Sequence, residues 1–142
     1  FNQNDDYDRK KQLEYLNNKP EYQEDKLRLV PEQMKSFDFW NWSRIIEFKK
    51  RKCNYDTFPN WILEQYKYDT NMEIANRHDI LFFYQNKFDD GKIWEWNITQ
   101  MVKENLMPEP QIKEMNRHTF VNNPTKVPKK VYMLTLDMGY EI

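Results

Sequence analysis

Residues 71–99 read NMEIANRHDILFFYQNKFDDGKIWEWNIT, and the fold turns on them. Ile74, His78, Leu81, Phe82 and Phe88 fall at i, i+4, i+7, i+8 and i+14, one face of a 3.6-residue period. This spacing predicts a helix over 71–88, stopped at Asp89-Asp90-Gly91, where glycine suits a left-handed cap. From Lys92 to Thr99 the pattern alternates instead. Trp94, Trp96 and Ile98 share one side and Ile93, Glu95 and Asn97 the other, as in a short strand. A helix continuing to Leu106 is the competing reading.

Outward from this stretch, the chain again reads as helical. Ser36 suits an N-cap for a helix carrying Phe39, Trp40, Ile45, Ile46 and Phe48, with the cations Lys49-Lys50-Arg51-Lys52 at its C-terminus. Thr57-Phe58-Pro59 opens a second helix with Trp61, Ile62, Leu63 and Tyr66. A further helix is expected from Pro110 to His118. The strand near 130–137 is the most β-like segment, and the 93–98 segment is a possible pairing partner for it. Residues 1–36 carry eight acids, seven bases and few apolar positions, so they read as a polar extended arm with a short helix near 8–18. The expected fold class is therefore mainly α with a few short strands, α+β being the alternative. A small core of aromatic-rich helices, an N-terminal arm over 1–36 and one small domain over 37–142 complete the expectation.

The 142 residues suit one domain of ordinary size, and the net charge of −1 supplies no global field toward nucleic acid or lipid. The longest apolar run, Ile80 to Tyr84, is far shorter than a membrane-spanning helix of about 20 residues, so no transmembrane segment is expected, though peripheral membrane contact remains open. A single cysteine excludes an internal disulfide. One alanine and two glycines against 15 asparagines and 16 lysines read as an AT-rich genome.

Chemistry is mostly excluded by absence. Gly91 and Gly139 alone cannot build a phosphate-cradling loop. Ser36 and Ser43 lie among bulky residues, unlike a nucleophile elbow. Cys53 with His78 or His118 reads as a free thiol beside a basic cluster, and Glu114 with His118 as a solvated pair. His78, on the apolar face, reads as a buried, hydrogen-bonded imidazole. Asn41-Trp42-Ser43 and Asn97-Ile98-Thr99 match the glycosylation sequon but lack other secretory marks. No catalytic, cofactor-binding or metal site is expected, and no cofactor.

Two features remain. Trp40, Trp42, Trp94 and Trp96 offer large apolar surfaces of the kind that anchor partners. The basic patch Lys49, Lys50, Arg51 and Lys52 stands beside aromatics. Together with the arm and the terminal strand they suggest a non-catalytic accessory subunit of a large assembly, its partners other protein subunits. A peripheral respiratory-chain subunit in the mitochondrion is the specific expectation, with the cytoplasm as the alternative location. The alternative function is a nucleic-acid-associated or mitoribosomal protein using segment 40–55. A small enzyme with a site built from Asp, Glu, His and Tyr is the third.

Overall fold

The computed structural model describes residues 3–31, 36–116 and 125–142. It contains three α-helices and nine strands among these residues, so the expectation of a mainly α chain is overturned. The strands form a six-stranded mixed sheet in the order β1-β2-β3-β5-β6-β9 and a three-stranded antiparallel sheet in the order β4-β8-β7. Here β1 is Arg28–Leu29, β2 Phe39–Trp40, β3 Arg44–Lys50, β4 Trp61–Glu64, β5 Leu81–Lys87, β6 Ile93–Asn97, β7 Gln111–Asn116, β8 Lys126–Leu134 and β9 Tyr140–Glu141. The helices are α1 Gln3–Asn17, α2 Gln65–His78 and α3 Ile98–Lys103.

The expected helix over 71–88 breaks at Asp79. That residue adopts the left-handed conformation (φ 55°, ψ 45°) and closes α2, while the Ile80 N–H donates to the Ala75 carbonyl at 2.9 Å. The chain then enters β5, which runs parallel to β3 from Arg44↔Leu81 to Lys50↔Lys87. Parallel strands need a long crossover, which β4 and α2 supply. Such strands are buried on both faces, so they read as continuous apolar runs without alternation. This is why Ile45-Ile46 and Leu81-Phe82-Phe83-Tyr84 imitate helix faces. The helices expected around Phe39–Phe48, at Thr57–Tyr66 and from Pro110 are instead β2 and β3, β4 leading into α2, and β7. The strand reading of 93–98 holds for Ile93–Asn97, with Ile98 instead opening α3: β6 pairs with β5 across the Asp89-Asp90-Gly91 turn, where Gly91 has φ 87°. The C-terminal strand is present as β8, but it pairs with β4 and β7, not with β6.

Residues 3–31 do not form an extended arm. One face of α1 is Arg9, Gln12 and Leu16, all essentially buried against the six-stranded sheet. Leu16, Tyr22 and Leu27 pack with Phe39, Ile46, Phe48 and Phe83. Arg9 bonds Asp38 Oδ1 at 2.7 Å and donates to the Val30 carbonyl at 2.6 Å. The larger core lies on the opposite face, where Ile45, Phe82, Tyr84 and Trp96 meet α2, β4 and β8 through Ala75, Leu63, Tyr132 and Leu134. Leu16→Ala is expected to cost about 2–5 kcal/mol, as buried leucine truncations do. Urea unfolding of the full chain reads this directly; a solvated arm would show no change.

Candidate functional site

A cleft of about 300 Å³ opens where the two sheets meet. Glu47, Lys49 and Arg51 line it from β3 and the residue after it, at the alternate positions that share one face of an extended chain. Tyr84 of β5 stands beside Glu47 in register. Ile62, Leu63 and Glu64 of β4, Lys67 of α2, and Glu114 to Asn116 and Lys126 of the β7–β8 hairpin close the remaining walls.

The floor is fixed by hydrogen bonds. Arg51 donates Nε to Asn86 Oδ1 at 2.8 Å, and Nη2 to the Ile62 carbonyl at 2.9 Å and to the Tyr84 hydroxyl at 3.0 Å. The Tyr84 hydroxyl donates to the same Ile62 carbonyl at 2.8 Å. Glu47 is 2% exposed and pairs with Lys67 Nζ at 2.8 Å. Burial alone would lower the Lys67 pKa, but the adjacent Glu47 carboxylate outweighs it and holds the ammonium charged well above its ordinary range. Glu64 takes Lys129 at 3.4 Å through Oε1, while its buried Oε2 has no hydrogen-bond partner among the described residues. Asp38 lies one step beyond the Phe39↔Ile46 pair, which puts it across the ladder from Glu47. It is fully buried, and its Oδ2 accepts the Phe48 N–H at 2.6 Å.

Lys49 differs from its neighbours. Among the described residues it makes no hydrogen bond or ion pair, and it shares the cleft with two further cations, Arg51 and Lys67. Burial, then Arg51 and Lys67, push its pKa below 10.5. Glu47 and Asp5 offset this only in part, so a half-buried ammonium that lines the cleft with Arg51 and Lys67, and has no hydrogen-bonded acceptor among the described residues, can receive an anion.

The expected basic patch is therefore not one surface. Lys49 and Arg51 point into the cleft, Lys50 pairs with Asp89 at 3.3 Å on the other side, and Lys52 is exposed. The tryptophans also separate. Trp96 is fully buried and donates Nε1 to the Thr135 carbonyl at 2.8 Å. Trp94 shares its side, donates to the Leu136 carbonyl at 2.8 Å and stacks on Tyr55. The chain's own C-terminal segment covers both. It passes so closely that a Cβ on Gly139 would lie 2.5 Å from the Glu95 carbonyl oxygen. Trp40 is half-buried against Arg28, and Trp42 alone of the four is largely exposed, at 71%.

His78 is exposed at the end of α2, not buried on an apolar face. Cys53 is half-buried against the main core. His118 lies outside the described residues. Both sequon asparagines serve the backbone: Asn41 is buried and accepts from Ser43 and Arg44, and Asn97 caps α3 through the Gln100 N–H. Among the described residues no group of three or more His, Cys, Asp or Glu is arranged around a metal position. No helix among them is long and apolar enough to cross a membrane. A comparison with known proteins finds no family model, no curated protein and no solved structure that matches the chain.

Sequence reasoning missed Glu47, Glu64, Lys67 and Tyr84. Once Arg44–Lys50 is read as a strand, the alternation of Glu47, Lys49 and Arg51 is the one local signal that assembles any of them.

Proposed function

We propose that the cleft binds the phosphate backbone of a nucleic acid and hydrolyses its phosphodiester bond with the help of a divalent cation. The observation that carries this reading is that Lys49, without a hydrogen-bond or ion-pair partner among the described residues, lines the cleft together with Arg51, Lys67 and the buried Glu47. A phosphodiester supplies the missing anion, and Lys49 then stabilises the charge that develops on the phosphoryl oxygens during attack by water. Arg51 braces the site from below through its bonds to Asn86, Ile62 and Tyr84.

Magnesium does not need a cage of protein ligands: it is held by one or two carboxylates together with substrate phosphates. Glu47 lines the cleft and would be the carboxylate that holds such an ion beside a substrate phosphate, whereas Asp38, across the ladder from it, is engaged by Arg9 and the Phe48 N–H. An ion held there would neutralise phosphoryl charge and supply a nucleophilic water. Lys67 holds the Glu47 carboxylate in one orientation. The features that pointed to an accessory subunit instead find their contacts inside the chain: the N-terminal segment, the Trp94–Trp96 pair and the terminal strand.

The test is incubation of the full chain with labelled DNA and RNA oligonucleotides in magnesium or in EDTA, resolved on denaturing gels. Shortened products in magnesium alone support the reading, and intact strands under every condition oppose it.

A second expectation concerns pH. The folded chain holds the Lys49 proton less tightly than the unfolded chain does. Between that lowered pKa and 10.5 the unfolded state therefore binds more protons, so stability rises with pH through this window. Lys49→Met removes that rise and is expected to unfold at a higher urea concentration than wild type near neutral pH, while binding oligonucleotides more weakly. A residue that serves only the fold would lose stability when replaced.

A further inference from the structure

Among the described residues four cations line the cleft: Lys49, Arg51, Lys67 and Lys126. Three of them are poorly placed to act as nucleophiles. A guanidinium is not deprotonated in a protein, and Arg51 is also fixed by Asn86, Ile62 and Tyr84. Lys67 is held as an ammonium by Glu47 at 2.8 Å. Lys126 is exposed and keeps its hydration.

Lys49 is the exception. It is half-buried, it makes no hydrogen bond or ion pair among the described residues, and its side chain lines an open cleft of about 300 Å³ that a ligand can enter. Burial first, then the charges of Arg51 and Lys67, favour its neutral form; Glu47 and Asp5 oppose this and are outweighed. A lysine desolvated beside other cations is the arrangement that makes an amine nucleophilic toward carbonyl groups. Arg51 and Lys67 in the same cleft select a carbonyl compound that also carries phosphate.

We infer that Lys49 forms an imine with the aldehyde of an abasic nucleotide, so that the cleft also cuts nucleic acid at such a lesion without metal. The inference rests on the nucleic-acid reading of the cleft, because the aldehyde a nucleic acid carries is the ring-opened C1′ of a sugar that has lost its base. The neutral Nζ attacks C1′, a carbon–nitrogen double bond forms, and the carbonyl oxygen leaves as water. The protonated imine then draws electrons from C2′. The C2′ proton passes to water, the C3′–O bond breaks, and its electron pair leaves with the phosphate of the downstream strand. Hydrolysis of the imine restores the amine and leaves an unsaturated aldehyde on the upstream strand. No oxidant, reductant or metal enters the sequence.

The experiment is borohydride trapping with the full chain in EDTA, which withholds divalent cations and so silences hydrolysis. The probe is a DNA oligonucleotide with one abasic site, and the same strand with its base intact is the control. Borohydride reduces an imine to a stable amine, and peptide mass spectrometry of the wild-type adduct locates the modified residue. The expected result is an adduct on Lys49 with the abasic strand and none with the intact strand. The adduct is lost in Lys49→Arg, which keeps the charge but cannot form the imine, and is retained in Lys52→Arg, whose lysine is exposed and outside the cleft. Without borohydride, wild type cuts the abasic strand in EDTA faster than Lys49→Arg does. Adducts confined to exposed lysines or to the N-terminal amine overturn the inference. No adduct, beside a wild type that cleaves the intact strand in magnesium, overturns the imine and leaves the phosphodiester reading standing. An adduct on Lys49 without magnesium-dependent cleavage sustains the imine and overturns hydrolysis alone. Neither adduct nor cleavage overturns both.

Discussion

Glu47→Gln is expected to reduce magnesium-dependent cleavage by about 100-fold or more. A metal ion contributes several kcal/mol of charge stabilisation at the transition state, and each 1.4 kcal/mol or so is tenfold in rate. The substitution also removes the counter-charge of Lys67, whose ammonium lies 2.8 Å from the carboxylate. Removing one partner of a buried pair costs about 3–5 kcal/mol, so the single variant is expected to be less stable as well. Glu47→Gln/Lys67→Met separates the two effects. It relieves the stranded cation and recovers much of the stability, while cleavage stays at the low level. Parallel urea unfolding and gel-based rates read both quantities, and a double variant that regains cleavage along with stability would assign Glu47 to the fold alone.

The second large effect is at Trp96. Its indole is fully buried among Tyr84 and the main core, and its Nε1 satisfies the Thr135 carbonyl. Trp96→Ala is expected to destabilise the free chain by about 3–5 kcal/mol, the cost of truncating a large buried aromatic. Trp42→Ala, at the exposed turn between β2 and β3, is expected to shift stability by no more than about 0.5 kcal/mol. Chemical unfolding of the two variants makes the comparison. Equal midpoints for wild type and Trp96→Ala would show that the indole is not part of this core.

The elements legible in the sequence are those whose local pattern agrees with their surroundings. Ile93–Asn97 alternates along an antiparallel strand, and Trp94 and Trp96 share a side as its pleat requires. Gly91 marks the turn before it. The central parallel pair was hidden because burial on both faces removes alternation, and the neighbouring Ile74 and His78 extended a false helical period. The packing of α1 was hidden for the opposite reason: the face it buries holds Arg9 and Gln12, whose partners Asp38 and Gln85 are distant in sequence. The site follows the same logic. Glu47, Lys49 and Arg51 scatter around a helix but align on a strand, so misreading β3 dispersed them. Glu64, Lys67 and Tyr84 reach the cleft through tertiary packing, which leaves no local signature.

The central claim is that a divalent cation and a phosphodiester meet at Glu47 between the two sheets. Paramagnetic broadening locates such an ion directly. Manganese is titrated into the isotope-labelled full chain in the presence of a DNA duplex made resistant to cleavage, and amide resonances are followed. Broadening centred on Glu47, Phe48 and Lys49, with Asp38 close behind, and abolished by Glu47→Gln/Lys67→Met, is the predicted result. Broadening centred elsewhere, or manganese binding that the double substitution leaves unchanged, would contradict it.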